Sequence, residues 1–390
     1  MNINKQIYNL IKKIFSIENS ANKTHKRITI LGIKIKIKNK KDCLKLLLEN
    51  LNAKDDLICQ LENKIKVLQE EKDCLLNNFS NFIPNKGNSL VQDAYLLNDT
   101  RREKNHLGCS LVYSNLNILC EKYGMNIFFS DSAYPSFDDD IKQYNNILKY
   151  SGIVIFNGEG TLHDDAGINM FEKCKLAKEM GKKVDLINTV WQNNKNTEKY
   201  LKYFDLISCR ESLSYFELPE NVKSKAMVVP DLTFYGRIKE YPQSDENKVL
   251  FTDSVIPKNT TLLKKLADNY NEKIYYMHNN GNKVSTYLEE KDIASLGKNS
   301  LIVTGRFHAL TLGIKYQVPT IVLSSNTHKV EGLLKDAGLS FCLAKNEREI
   351  THLIDNIDSF RQSYFIKANQ YYQNAQIRIE HLFKTISLGD

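Results

Sequence analysis

The chain of 390 residues lacks several features that would reveal its class at once. No apolar stretch approaches the roughly 20 residues that a membrane-spanning helix needs. The eight cysteines form no CxxC pair, which argues against a cysteine zinc site and indicates reduced thiols in a cytoplasmic protein. The loop at Gly158 and Gly160 is neither a Walker nor a GxGxxG motif, so a nucleotide site is not indicated by it alone, and His163 with Asp164 and Asp165 has no HExxH or DxD spacing, so no metal site is predicted.

Positive charge is concentrated near the amino end of the sequence. Of the 54 Lys and Arg and the 46 Asp and Glu residues, residues 1–41 carry eleven and one, which leaves 43 and 45 for the remainder. A body so close to neutral argues against a groove for nucleic acid. Lysine and asparagine interrupt the first 17 residues and no small-residue cleavage site follows, so a cleavable signal peptide is not expected.

Residues 1–40 are predicted to form a basic amphipathic helix followed by a β-hairpin. Apolar residues fall at helical spacing in the first segment: Ile3, Ile7, Leu10, Ile14 and Ile17. From Ile28 to Lys38, apolar and basic residues alternate, which predicts a strand pair that turns near Gly32. One interpretation is an anchor that lies on an anionic membrane surface. The alternative is a helix docked on the body, or a frayed terminus, beside a solvated hairpin.

Residues 41–79 are predicted to form a coiled coil, with interruptions at Lys54 and Lys72. The residues that follow the heptad register are Leu44, Leu47, Leu51, Ile58, Leu61, Ile65, Leu68 and Leu75. About four to five heptads suffice for a coiled coil, and the simplest partner is a second copy of this chain in a homo-oligomer. The alternative is a long helix packed on the body. Residues 80–91, with Pro84 and Gly87, are predicted to be a linker.

From about residue 90, predicted strands and helices alternate, which is typical of an α/β protein with parallel sheets. The predicted strands are Ala94–Leu97, Ile127–Phe129, Ile153–Phe156, Val184–Ile187, Leu206–Ser208, Met227–Val229, Val249–Phe251, Ile274–Met277, Leu301–Val303 and Thr320–Leu323. They divide into two Rossmann-like lobes, residues 92–238 and 248–358, on either side of a polar loop. Residues 359–390 carry a long helical pattern that we expect to cross back over the first lobe.

Two arginines and a histidine follow the ends of predicted strands. Arg306 and His308 come directly after the strand that begins at Leu301, and Arg210 follows the strand Leu206–Ser208. The start of a helix at such an edge favours an anion, and arginine suits forked hydrogen bonds to carboxylate or phosphate. Alone, Arg210 would more often be a surface ion pair. Together the three predict an interlobe pocket for a doubly charged anion.

A glycine-rich loop follows the strand Ile153–Phe156. Gly158 and Gly160 allow positive φ and a close approach of a ligand to the backbone. The polar residues of the loop are candidates for acid–base chemistry or for binding sugar hydroxyls: Glu159, His163 and Asp164. The alternative is a turn whose polar side chains cap the next helix.

Asn105 and Gly108 stand at the start of the first helix of the body, where a ligand can approach closely. Ordinary helix capping explains these two residues equally well. They are therefore candidates for substrate binding rather than for chemistry.

These stretches together resemble the polysaccharide pyruvyl transferase family. The resemblance covers roughly residues 92–345 and is carried by Asn105–Cys109, by the glycine-rich loop, and above all by Thr304–His308. The downstream stretch from Lys329 to Leu334 fits as well. The resemblance implies a two-lobed fold like that of the GT-B glycosyltransferases. It also implies transfer of a pyruvyl group from phosphoenolpyruvate to a sugar, which gives a ketal.

The resemblance implies roles for individual residues. Arg210 and Arg306 would hold the phosphate and carboxylate of the donor. His308 would be the general acid that protonates the enol carbon or assists phosphate departure. The resemblance implies phosphoenolpyruvate as the donor substrate, and no cofactor is expected. Where many relatives have three glycines, this chain has Glu159, which could act as a base on the acceptor hydroxyl or mark a branch with another donor.

Three functional hypotheses therefore remain open at the level of sequence. The first is pyruvyl transfer to a cell-surface polysaccharide or its lipid-linked precursor, with the enzyme at the inner face of the cytoplasmic membrane. The second is a nucleotide-sugar glycosyltransferase, with Arg306, His308 and Lys329 on the nucleotide phosphates and Glu159 or His163 as base. The third is a non-catalytic scaffold that works through its coiled coil and basic tail.

Overall fold

A computed structural model describes three short strands within the first 90 residues and most of the chain beyond them. The ranges described after residue 90 are 91–101, 106–132, 137–242, 248–278, 286–297 and 299–388. The chain separates into two compact units, residues 1–89 and residues 90–390. The candidate functional residues all belong to the second unit.

The first unit contains an antiparallel sheet in the order β1-β2-β3, with β1 Phe15–Asn19, β2 Lys26–Ile30 and β3 Ile33–Ile37. The strand pair predicted around Gly32 corresponds to β2 and β3. The last residues of the predicted helix, Phe15–Ile17, belong instead to strand β1, which pairs with β2, so the prediction is wrong for these residues. Apolar and polar residues alternate there with the period of a strand, which the longer helical spacing concealed. Residues 1–14, the predicted coiled coil and residues 80–90 lie outside the described part.

The first lobe of the second unit is built on a six-stranded sheet in which every described pairing is parallel. The strand order is β5-β4-β6-β7-β8-β9. The strands are β4 Gln92–Asp99, β5 Met125–Ser132, β6 Ile153–Glu159, β7 Lys183–Thr189, β8 Leu206–Cys209 and β9 Ala226–Val228. The α-helices of this lobe are α1 Leu107–Lys122, α2 Phe137–Tyr150, α3 Ile168–Glu179 and α4 Ser212–Glu217.

The second lobe is also built on a six-stranded sheet with parallel pairings throughout its described residues. The strand order is β12-β11-β10-β13-β14-β15. The strands are β10 Val249–Ser254, β11 Ile274–Tyr276, β12 Thr286–Tyr287, β13 Leu301–Gly305, β14 Thr320–Leu323 and β15 Leu343–Ala344. The α-helices that follow β10 are α5 Pro257–Asn269, α6 Glu290–Ala294, α7 Phe307–Lys315, α8 Lys329–Asp336, α9 Glu347–Asp355 and α10 Ile357–Leu388.

The predicted α/β fold with two Rossmann-like lobes is confirmed, since the ten predicted strands all lie within strands of the two sheets or extend them by a residue. Strands of a parallel sheet are covered by helices on both faces, which is why they are continuous apolar runs. Ile153–Phe156, for example, is fully buried. The structure adds β12 and β15, whose two residues each are too few to give a periodic signal.

Two helices join the lobes. Every residue of α7 is buried, and its Lys315 Nζ donates to the carbonyl oxygens of Thr233 at 3.2 Å and Tyr235 at 2.9 Å. Helix α10 starts on the second lobe and ends on the first, where Lys183 Nζ donates to the carbonyl oxygen of Ile386 at 2.7 Å. The predicted crossing of the last helix over the first lobe is therefore confirmed. Among the described helices, none is long and apolar enough to cross a bilayer.

Asp185 is a buried carboxylic acid in the sheet of the first lobe, and it makes stability depend on pH. Its side chain is inaccessible to solvent, and the nearest ammonium, Lys183 Nζ, lies 3.9 Å from Oδ2. Burial raises the pKa of Asp185 to about 7 in the folded state. The unfolded chain ionises near pH 4, so the free energy of unfolding falls as pH rises from about 4 to 7, by about 4 kcal/mol in all.

We predict that Asp185→Asn removes this pH dependence. The free energy of unfolding of the variant should match wild type near pH 4.5 and exceed it by about 2–4 kcal/mol at pH 8. Urea denaturation across this pH range measures the difference, with Asp268→Asn on the exposed face of α5 as the control. A difference between Asp185→Asn and wild type that stays constant with pH would contradict the prediction.

Candidate functional site

The site lies where the carboxyl ends of the two sheets approach each other. In the first lobe β5 lies on one side of β4, and the next strand along the chain, β6, lies on the other side. In the second lobe β11 and β12 lie on one side of β10, and the next strand, β13, lies on the other side. Ligands of open α/β sheets bind at such points, where the strand order reverses. Strand β6 ends at Glu159, itself a predicted site residue, and β13 ends at Gly305, directly before Arg306.

Arg210 and His308 meet at one carboxylate, that of Asp231. Arg210 is 2% exposed, and its Nη1 lies 3.1 Å from Asp231 Oδ2. His308 Nε2 lies 3.8 Å from the same oxygen, an electrostatic contact rather than a hydrogen bond. The guanidinium of Arg210 also stacks on the Phe307 ring, 4.1 Å from its centroid. The structure thus brings a predicted residue of the first lobe together with one of the second.

Asp231 is ionised in this setting. Burial alone would raise its pKa, but the nearby His308 imidazole and Arg210 guanidinium outweigh burial and hold the pKa well below the ordinary range. The second oxygen, Oδ1, accepts from Thr233 N at 2.9 Å and Thr233 Oγ1 at 2.7 Å. A fixed anion therefore faces both the guanidinium and the imidazole.

Arg306 is the N-cap residue of α7 and is paired within its own lobe. Its Nη2 is paired with Asp253 Oδ2, at the end of β10, while Asp253 Oδ1 accepts from Met277 N at 3.1 Å. Among the described atoms, Nε of Arg306, Nε of Arg210 and Nε2 of His308 are buried without a hydrogen-bond partner. Three nitrogen atoms at the site are thus without protein acceptors.

Lys329 lies at the start of α8 and is 8% exposed. Its Nζ donates to the side-chain oxygen of Asn326 at 2.7 Å. Burial, followed by the positive charges of Arg210 and Arg306, lowers the pKa of Lys329 to about 7. We call Arg210, Arg306 and Lys329 the cationic cluster.

The glycine-rich loop has left-handed backbone at non-glycine residues and not at its glycines. Positive φ occurs at Glu159 (41°), Asp164 (52°) and Asp165 (61°) but at neither Gly158 nor Gly160, so the predicted role of the glycines in positive φ is wrong. A Cβ on Gly158 would lie 2.3 Å from Thr189 Oγ1, so this glycine allows close packing against β7. A Cβ on Gly160 would lie 3.3 Å from Arg210 Nη2 and 3.5 Å from Lys329 Nζ. Gly160 therefore leaves open the space in front of the cationic cluster.

The Glu159 carboxylate is held by the first lobe. Oε1 accepts from Thr100 Oγ1 at 2.6 Å and Asn157 Nδ2 at 3.0 Å, and Oε2 accepts from Cys109 Sγ at 3.4 Å. These hydrogen bonds fix the orientation of the carboxylate, and they help to hold Glu159 at its positive φ of 41°.

His163 reaches from the first lobe to the second. Its Nδ1 lies 2.9 Å from Asp164 Oδ2, and its Nε2 lies 3.4 Å from Asn326 Nδ2. The hydrogen bond from His163 lowers the pKa of Asp164, whose side chain is 65% exposed. Asn326 thus lies between His163 and Lys329, and Asp164 is at the rim.

The first helix supports the site through packing. A Cβ on Gly108 would lie 1.9 Å from His308 Nδ1, so the space that the sequence assigned to a ligand is taken by the imidazole. The His106 ring lies edge-on to His308 at a centroid distance of 5.6 Å. Asn105 lies outside the described residues. Within those residues, no group of three or more His, Cys, Asp and Glu could hold a metal ion.

Sequence reasoning missed Asp231 and Asp253. Asp253 is near the carboxyl end of β10, so the expectation that ligands bind at the carboxyl ends of strands, which singled out Arg306, could have singled out Asp253 too. Asp231 follows β9 and Pro230 and caps the short 3-10 helix Leu232–Phe234, and its contact with His308 is seen only when the lobes are packed together. His328 Nε2 also lies 3.5 Å from Glu211 Oε1 across the lobes, and no pattern in the sequence predicts this contact.

Comparisons with known proteins give one family match and several solved structures of low identity. A family model described as polysaccharide pyruvyl transferase matches residues 106–327, more than half of the chain. No curated protein gives a significant match. Among solved structures, a protein assigned as a UDP-N-acetylglucosamine 2-epimerase from Listeria monocytogenes is similar at 10% identity, with a TM-score of 0.48 over 71% of this chain and 91% of that one. The glycosyltransferase SnogD from Streptomyces nogalater is 9% identical, with a TM-score of 0.44 over 76% and 99%.

The two loop glycines provide a matched pair of substitutions. Gly160→Ala should leave the free energy of unfolding nearly unchanged but weaken binding of inorganic phosphate, because the methyl group occupies the space before the cationic cluster. Gly158→Ala should cost about 1–3 kcal/mol of stability, because its methyl group overlaps Thr189. Urea denaturation and calorimetric titration with phosphate measure both effects. Undiminished phosphate binding by Gly160→Ala would show that the anion lies elsewhere.

Proposed function

Because the chain belongs to the polysaccharide pyruvyl transferase family, we propose that it transfers the pyruvyl group of phosphoenolpyruvate to a sugar. The acceptor is a sugar of a cell-surface polysaccharide or its lipid-linked precursor, and the product is a ketal. The observation that carries the proposal is the convergence of the cationic cluster and His308 at the junction of two sheets. Phosphoenolpyruvate carries a carboxylate and a phosphate, and such a ligand requires several buried cations.

The reaction needs a proton donor, for which we propose His308, and a negative charge close to that donor, for which we propose Asp231. His308 donates a proton to the methylene carbon of the donor, and the electron pair of the C=C bond forms the new C–H bond. A sugar oxygen attacks the cationic carbon and returns its proton to His308. Phosphate then leaves with the electron pair of the broken C–O bond, and a second sugar hydroxyl closes the ketal while its proton passes to phosphate. The Asp231 carboxylate lies 3.8 Å from His308 Nε2, so a fixed negative charge stands next to the proposed proton donor.

We assign different tasks to the other predicted residues. Arg306 has a buried Nε without a described acceptor and offers it to the donor carboxylate. Glu159 already accepts from three side chains, so we assign it to the organisation of the loop. His163 and Asp164 lie at the rim and are assigned to the acceptor sugar.

We predict a separation of binding and chemistry between Arg306 and His308. Arg306→Ala should weaken phosphoenolpyruvate binding about 10- to 100-fold, because a charge-assisted contact is lost. His308→Gln should retain that affinity within about threefold while phosphate release falls by about 10²–10⁴-fold. Calorimetry measures affinity, and phosphate release is followed with a panel of diols, oligosaccharides and lipid-linked glycans. Arg348→Ala, on the exposed face of α9, is the control.

A nucleotide-sugar donor is the outcome that would overturn the proposal. Binding of a uridine diphosphate sugar without binding of phosphoenolpyruvate would favour the glycosyltransferase hypothesis. The calorimetric measurement of donor binding decides between the two donors even when the acceptor panel lacks the natural sugar.

The basic tail and the predicted coiled coil complete the proposal. We expect residues 1–41 to hold the enzyme at the anionic inner face of the cytoplasmic membrane and residues 41–79 to form a homo-oligomer. The full chain should float with anionic vesicles at low salt, and a chain that begins at residue 42 should not. Equal flotation of both chains would contradict the anchor, and neutral vesicles are the control.

A further inference from the structure

The three members of the cationic cluster differ in how their charges are compensated. Arg210 is paired with Asp231 and Arg306 with Asp253. Lys329 Nζ contacts only the neutral oxygen of Asn326 among its described hydrogen-bond partners, and no described carboxylate lies within ion-pair distance. Lys329 is thus a buried amine without a counter-ion.

A buried amine next to two permanent guanidinium charges is unfavourable as an ammonium. Removal from water and like charges both disfavour the protonated form, and Glu159 and Glu331 act in the opposite direction with smaller effect. The resulting pKa of about 7 means that much of Lys329 is neutral at physiological pH. An anion in the space before Gly160 would reverse the balance, because it would supply the missing counter-ion.

The surroundings of Lys329 suit a phosphate better than a carboxylate. Lys329 begins the eight-residue helix α8, whose first N–H groups and dipole favour an anion. Thr327 is 5% exposed, and its Oγ1 has no described hydrogen-bond partner. Arg210 Nη2 faces the same space from the first lobe, and its Nε is also without an acceptor. Lysine is a point charge that serves phosphate, whereas Arg306 offers the planar fork that serves carboxylate.

We propose that Lys329 binds the phosphate of the donor and takes up a proton when that phosphate enters the site. This inference rests on the proposed function for the identity of the donor, but it applies to any phosphate ligand at this position. The proton leaves again when the product phosphate departs, so release of phosphate restores the neutral amine. Affinity for phosphate should therefore fall about tenfold per pH unit above pH 7.

Other titratable groups near the site must be separated from Lys329. Asn326 links Lys329 to His163, Asp231 links Arg210 to His308, and Glu159 and Glu331 act on Lys329 through their charges. His328 precedes Lys329 in the chain, and its ring faces Glu211 and Glu217 instead. Single variants at Lys329 and His308 distinguish the two titratable side chains that the proposal places directly beside the ligand, whereas His163 lies at the rim.

Calorimetric titration at pH 8 in two buffers with different ionisation enthalpies counts the protons taken up. With phosphoenolpyruvate or inorganic phosphate, wild type should take up about 0.9 proton, as follows from a pKa of about 7. Lys329→Met should bind at least about tenfold more weakly and lose the uptake. Lys329→Arg should restore affinity without uptake, since its charge is permanent. His308→Gln should retain the uptake of wild type, and circular dichroism checks that each variant is folded.

The outcomes separate this inference from the proposed function. Phosphoenolpyruvate binding without proton uptake, or uptake that persists in Lys329→Met, would overturn the role of Lys329 and leave the donor intact. Proton uptake with inorganic phosphate or a nucleotide sugar, but no binding of phosphoenolpyruvate, would support Lys329 and refute the donor.

Discussion

The contact on which the site depends is the Asp231 carboxylate between Arg210 and His308. An arginine keeps its charge even when it is only 2% exposed, so its burial without an anion would be strongly destabilising, and Asp231 supplies that anion at 3.1 Å. The same oxygen faces His308 from the other lobe at 3.8 Å. One carboxylate therefore neutralises the first lobe's guanidinium and sets the electrostatic environment of the second lobe's imidazole. Loss of Asp231 would leave Arg210 uncompensated and His308 without its neighbouring anion.

This contact requires the lobes to approach closely, and glycine makes that approach possible. Gly108 at the start of α1 leaves the room that His308 fills, and Gly332 of α8 leaves room for Glu211, since a Cβ there would lie 2.1 Å from Glu211 Oε2. Helix α7 is buried on all sides, so His308 is presented from a rigid element. The lobes are thus fitted to each other through backbone approach and buried polar contacts as well as apolar packing.

The fold was predictable from sequence because parallel strands covered on both faces are apolar runs between polar turns. Ligands of open α/β sheets bind at the carboxyl ends of the strands, and this rule singled out Arg210, Arg306 and Glu159. The sequence did not reveal which charges pair, since Asp231 caps a short 3-10 helix and its contact with His308 depends on how the lobes pack. The end of the predicted tail helix was wrong at Phe15–Ile17 for another reason. Ile14 and Ile17 fit a helical spacing, but Phe15 and Ile17 also fit the period of a strand.

The division of charge within the cationic cluster follows from two opposing demands. If all three cations had carboxylate partners, the pocket would hold little net charge, and an anionic donor would gain little by entering it. If none had a partner, three uncompensated charges would be buried at a cost that a folded domain of ordinary stability could not meet. Two arginines that cannot lose their protons are therefore compensated by Asp231 and Asp253. Lys329, which can lose its proton, is left without a counter-ion, because a neutral amine is tolerable in the empty site and an ammonium becomes favourable when phosphate arrives.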